Sequence, residues 1–102
     1  MSESPFFMTR KIVISSSASK DIANGVDYYK LQQKGLGRRF ENLVHAIFKK
    51  IQRHPYAASF AYEGEGVRYK VMDTFPFIIL YKFDDVNIYI LRIFNTHQMP
   101  LY

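Results

Sequence analysis

The chain has no cysteine among its 102 residues, so neither a disulfide framework nor a thiolate metal site is open to it. No stretch has the charged, apolar and small-residue layout of a secretory signal. The longest apolar run, "FPFIILY" at Phe75–Tyr81, falls far short of the roughly 20 residues a helix needs to cross a bilayer. These absences lead us to expect a soluble, cytoplasmic protein with no membrane contact. Also missing are a glycine-rich phosphate loop, a Cys/His zinc pattern and a local Ser-His-Asp arrangement. His45 and His54 have no third metal ligand at useful spacing, so no metal role is expected for them. There is no repeat, no low-complexity tract and no linker. A chain of this length supports one core and is too short for two. The expectation is a single domain over residues 1–102, with residues 1–9 flexible.

What the chain does have is apolar and aromatic material, 48% and 17% of its residues, well above the composition of disordered chains. Its net charge of +5 is unevenly placed. Residues 1–54 hold ten Lys and Arg against four Asp and Glu, whereas residues 55–102 hold four against five. A basic first half suits an acidic partner, either nucleic acid or an acidic protein segment, and equally suits two helices with solvated outer faces.

The apolar periodicity predicts the order β, α, α, β, β, β. "RKIVIS" (Arg10–Ser15) reads as a strand, and the serines at 15, 16, 17 and 19 offer N-caps for a helix starting near Ser17–Ser19. Asp21 falls in its first turn, where the helix dipole favours a carboxylate. Ile22, Val26 and Tyr29 share a face, and Gly35 suits the left-handed residue that ends a helix near Lys34. Leu36, Phe40, Leu43, Val44, Ile47, Phe48 and Ile51 make a broad stripe on a second helix, with Arg38, Arg39, Lys49, Lys50 and Arg53 on its other face. Pro55 stops it at about Arg53. The short link makes the two helices antiparallel.

Residues 55–66 have loop composition, and from Val67 the period becomes two. Val67, Tyr69 and Val71 alternate with Arg68, Lys70 and Met72, a half-buried strand. Phe75–Phe83 and Val86–Asn95 follow as strands joined by Asp84 and Asp85, a link short enough to force antiparallel pairing. The fold class is α+β: an N-terminal strand and a helical hairpin packed on a three- to four-stranded antiparallel sheet. A hairpin covers one face only, yet Ile78 and Leu80 alternate with Phe77, Ile79 and Tyr81, so both faces are apolar. The second face needs a partner, a loop folded across it, or a second copy of the chain.

Four segments, "DYYKLQQKGLGRRFENLVHAIFKKIQRHP" (Asp27–Pro55), the arginine of "VRYKV" (Arg68), "FPFIILY" and "IYILRIFNTHQMP" (Ile88–Pro100), together resemble the RelE/ParE family of toxins from bacterial type II toxin–antitoxin pairs, over about residues 10 to 100. The resemblance implies a cognate antitoxin that wraps an extended or helical segment around the toxin, by strand addition or by a helix in a groove. A toxin–antitoxin hetero-oligomer is then expected, beside the homodimer that the uncovered sheet face allows.

Two branches follow from the resemblance. RelE-like members cut messenger RNA on the ribosome with basic residues that stabilise the phosphate transition state. Arg68 and Lys70 match the first two such positions. Ile78 stands where those nucleases carry an arginine, and Asn95 and Gln98 are neutral where relatives carry a proton-transfer group and a phosphate ligand. His97 is a candidate general acid or base, Tyr102 falls near a tyrosine of some nuclease relatives, and Arg92 interrupts an apolar strand where it needs a carboxylate if buried. These departures favour the ParE-like branch, which acts by binding, with DNA gyrase as target and no cofactor. Its candidate contact residues are Arg38, Arg39, Phe77, Ile79 and Tyr81. The alternatives are a ribosome-dependent, metal-independent endoribonuclease using Arg68, Lys70, Arg92 and His97, and a relic that only binds antitoxin.

Overall fold

Alternating apolar and β-branched residues make the sheet, and two 3.6-period stripes make the layer above it. The structure, a computed structural model, describes residues 10–61 and 65–98. Strand β1 (Lys11–Ile14) leads into α1 (Ser16–Gln32) and α2 (Leu36–Arg53), followed by β2 (Ser59–Phe60), β3 (Arg68–Val71), β4 (Phe77–Phe83) and β5 (Asn87–Asn95), with a 3-10 turn at Thr96–Gln98. The sheet order is β1-β5-β4-β3-β2. All neighbours are antiparallel except β1, which runs parallel to β5 with Lys11 opposite Asn87 and Ile14 opposite Ile90.

The sheet therefore has five strands where three to four antiparallel ones are expected. The extra strand comes from the 55–66 loop, whose Ser59 and Phe60 pair with Tyr69 and Arg68. It extends the sheet sideways. The parallel pair arises because the helical hairpin returns the chain to the opposite end of the sheet, the crossover a parallel connection requires.

Helix α1 starts earlier than the serine run suggests. Ser15 is the cap: its Oγ accepts from the Ala18 N–H at 2.9 Å and donates to the Leu91 carbonyl at 2.9 Å, so the same hydroxyl starts the helix and ties it to β5. The helix ends at Gln32, and Gly35, at φ +82°, begins α2 instead of closing α1. Asp21 lies beyond the first turn and does not act as a dipole partner.

The core lies between the helices and one sheet face. Phe40, Val44, Ile47, Phe48 and Ile51 from α2 and Ala18 and Tyr29 from α1 meet Phe77, Ile79, Tyr81, Ile88, Ile90 and Ile93. Tyr29, Phe40, Phe75 and Phe77 form an aromatic cluster with centroids 4.7 to 6.2 Å apart, a spacing that favours tilted and edge contacts. The α1–α2 crossing is tight at two glycines. A Cβ on Gly25 would sit 2.5 Å from the Phe40 ring, and one on Gly37 would sit 2.7 Å from the Val26 carbonyl oxygen.

The other face carries Val13, Tyr69, Val71, Ile78, Leu80, Tyr89 and Phe94 by register. Both helices lie on the opposite side, so no helix covers it among the described residues.

Candidate functional surfaces

Strand register decides which basic side chains meet. Arg68 and Lys70 pair with Tyr81 and Ile79, so both stand on the helix-facing side of β3, while Tyr69 and Val71 point to the open face. This inverts the inward pattern that Val67, Tyr69 and Val71 suggest. The inversion is tolerated because β3 lies towards the margin of the helical layer, where long aliphatic stems cover apolar surface while their charged ends reach water.

Arg68 is held by the backbone. Its Nη1 donates to the carbonyls of Ala58 at 2.7 Å and Tyr56 at 3.2 Å, and its guanidinium stacks 4.0 Å from the Phe60 centroid. Tyr81 below it is fully buried and donates its hydroxyl to the Pro55 carbonyl at 2.7 Å. Burial pushes the Tyr81 hydroxyl above the usual tyrosine range, against a smaller downward pull from Arg68. Lys70 lines a cavity of about 320 Å³ together with Lys50, Arg53 and His54 at the end of α2.

Arg92 has the carboxylate that a half-buried arginine needs, and the partner is Asp21. Arg92 Nε donates to Asp21 Oδ2 at 2.8 Å and Nη2 to Oδ1 at 3.0 Å, a bidentate pair. Asp21 Oδ2 also accepts the Ile93 N–H at 2.8 Å. Pairing with β1 stops at Ile90, and Asp21 takes over the exposed strand edge beyond that point. The register shifts beside this pair: Leu80 faces Arg92 but Tyr81 faces Ile90, so Leu91 is an extra residue in β5, a bulge that puts Arg92 opposite Leu80.

His97 lies in the turn after β5, exposed, with its backbone N–H donating to Asn95 Oδ1 at 2.8 Å. It lines a cavity of about 630 Å³ between α1 and the end of β5, together with Asp21, Arg92 and Asn95. The four nuclease candidates therefore divide into two groups. Lys70 pairs with Ile79, which pairs with Ile93, so β4 separates Lys70 from the Arg92 strand by about 10 Å, two interstrand spacings. Arg92 belongs by register to the opposite face. Ile78 also lies on that face, opposite Phe94. Tyr102 lies outside the described residues.

Arg38 and Arg39 are exposed on α2, and Arg39 borders a shallow cavity of about 310 Å³ with Asn42, Leu43 and Phe75. Phe77, Ile79 and Tyr81 are 6%, 0% and 0% exposed. They form the core; by register the other face of their strand carries Ile78, Leu80 and Lys82, of which Leu80 is itself buried. The sequence showed that both faces were apolar without showing which face the helices take.

Sequence reasoning placed Asp21 at a helix dipole and missed it as the partner of β5. The signal was the lone Arg92 in an apolar strand, which calls for one carboxylate from a neighbouring element. Among the described residues no group of three or more His, Cys, Asp or Glu is placed to hold a metal, and no helix is long and apolar enough to cross a membrane.

A comparison with curated proteins returns no match. Among solved structures, the chain is similar to one described as "Chromosomal ParDE TA system from P. aeruginosa", with a TM-score of 0.72 and 21% identity, over 85% of this chain and 96% of that one. That likeness concerns the fold. Residues 12–100 match the family model described as the ParE toxin of the type II toxin–antitoxin system parDE. A match across nearly the whole chain, over a helical hairpin and sheet of the expected order, places this protein in the ParE toxin family.

Proposed function

We propose that this protein is a toxin that inhibits DNA gyrase by binding it, without breaking a covalent bond, and that a cognate antitoxin neutralises it. The observation that carries the binding reading is the dispersal of the basic candidates. Cutting RNA by attack of a 2′-hydroxyl needs a base, an acid and a cation converging within hydrogen-bond reach of one phosphate. Here Arg68 is engaged by two backbone carbonyls and Arg92 by Asp21, while Lys70 and His97 line separate cavities.

Two surfaces suit protein partners. The exposed Arg38 and Arg39 offer charge to an acidic target, and Val13, Val71 and Ile78 on the open sheet face offer apolar area for an antitoxin segment. Phe77, Ile79 and Tyr81 contribute by holding that face in shape from beneath.

The test is purified protein in a gyrase supercoiling assay, paired with mapping of RNA 5′ ends after a short induced pulse in cells. The expected result is loss of supercoiling, weakened in Arg38→Ala/Arg39→Ala, with no new RNA ends. New ends in phase with codons would replace this proposal with ribosome-dependent cleavage.

A further inference from the structure

The cavity at the C-terminal end of α2 holds an unbalanced set of charges. Lys50 and Arg53 reach it from the last turn of α2, His54 from the residue that caps that helix, and Lys70 from the facing strand β3. Ile51, Ala57, Ala58 and Tyr81 complete its wall, so no carboxylate lines it. The ion pair found among the described residues is that of Arg92 with Asp21, and none of these four groups takes part in it.

Favourable interaction with the helix C-terminus explains cations at positions 50 and 53. It does not explain Lys70, half-buried on a different element and turned towards the same space. Mutual repulsion of converging cations is an unfavourable term that a bound anion removes.

Beside the cavity stands a second feature of a different kind. The wall residues Ala57 and Ala58 lie between Tyr56 and the β2 residues Ser59 and Phe60, and Tyr56 and Phe60 are 68% and 56% exposed as residues. The Arg68 guanidinium lies between them, 5.7 Å from the Tyr56 centroid and 4.0 Å from that of Phe60. Exposed aromatic rings interleaved with arginine next to a cationic cavity match the two needs of a nucleotide, a flat surface for the base and positive charge for the phosphate. An acidic peptide would use the charges and have no use for the rings.

We propose that this cavity binds the phosphate of a nucleotide, free or within a single strand, with its base stacked on Tyr56 or Phe60. The site demands no bond cleavage. It is also separate from Arg38 and Arg39, about 20 Å away along the axis of α2 at 1.5 Å rise per residue, so it is independent of which macromolecule the toxin inhibits.

The test is fluorescence anisotropy of a short labelled oligothymidylate titrated with the full-length protein across a range of salt, with thymidine 5′-monophosphate, inorganic phosphate and an oligoglutamate peptide as competitors. Lys50→Ala/Arg53→Ala should weaken oligonucleotide binding by about tenfold or more and flatten the salt slope by about 1.4, two contacts at about 0.7 each for a single strand. Lys20→Ala/Lys34→Ala, which removes two exposed cations of α1 and the following link, should change affinity by less than about twofold. Tyr56→Ala/Phe60→Ala should weaken the oligonucleotide and the mononucleotide while leaving inorganic phosphate unaffected. Thermal unfolding of each variant verifies that it folds.

Competition by the mononucleotide at similar concentration identifies a free nucleotide as ligand, and competition by the oligonucleotide alone identifies a strand; either supports the site. Absence of binding, equal losses in Lys50→Ala/Arg53→Ala and Lys20→Ala/Lys34→Ala, or equal competition by oligoglutamate with no effect of the aromatic variant overturns it.

Discussion

Replacing Asp21 by alanine tests how α1 is fastened to the sheet. The change removes two hydrogen bonds from Arg92 and one from the Ile93 N–H. The Arg92 side chain is 42% exposed and regains water when released, so its share is that of a surface pair, up to about 1 kcal/mol. Ile93 is 2% exposed, and an orphaned buried N–H costs about 1–3 kcal/mol. Alanine is the better helix former and returns roughly 0.5 kcal/mol. The net loss is about 2 kcal/mol at the middle of these ranges, which lowers the melting temperature of a domain this size by about 8–16 °C.

Asp21→Asn keeps an acceptor for Ile93 but loses the charge and, because its Nδ2 donates, one of the two bonds from Arg92, so it should cost about 1 kcal/mol. Calorimetry gives the stabilities, and hydrogen exchange gives the specific signature: the Ile93 amide should lose protection in Asp21→Ala and keep most of it in Asp21→Asn. An Asp21→Ala variant that melts within about 3 °C of the parent, or that leaves Ile93 protection unchanged, would refute this account of the β5 edge.

The glycines at the helix crossing make a second prediction. Gly25→Ala presses a methyl group into the Phe40 ring and should cost about 1–3 kcal/mol by overpacking, with part of the loss recovered by adding Phe40→Leu. Gly37→Ala meets the Val26 backbone carbonyl, which cannot turn aside as a ring can, so its melting temperature should fall further than that of Gly25→Ala. On the alkaline side, burial raises the hydroxyl pKa of Tyr29, with a smaller push from Tyr28, and burial likewise raises that of Tyr81. The unfolded chain ionises these phenols first, so their stabilising share is full below about pH 10 and is lost as pH rises through the folded values. Denaturant midpoints should fall over that range, and Tyr81→Phe and Tyr29→Phe should each reduce the dependence. At neutral pH Tyr81→Phe also loses the bond to Pro55, which should cost about 1 kcal/mol.

Much of the architecture was legible because it depends on short-range pattern. The stripe from Leu36 to Ile51 can be a helix with one buried face and little else, and Pro55 ends it for local steric reasons. The strand at Phe77–Phe83 was legible too, but not its facing: a strand with apolar residues on both faces carries no signal of which side the helices cover. That is why Phe77, Ile79 and Tyr81 read as contact residues and proved to be core. The β2 strand was missed because two residues with edge pairing carry almost no periodicity of their own.

By itself the sequence determined the element order, the apolar helix faces, the concentration of charge in the first half and the family pattern, all properties of residue spacing along one chain. Only the tertiary structure decided which distant groups meet. Asp21 reaches Arg92 and Ile93 because β1 ends at Ile14 and leaves the β5 edge open, and β4 holds Lys70 apart from His97. Register and strand order set these relations through hydrogen bonding between segments up to 76 residues apart, and no local preference of either segment encodes them.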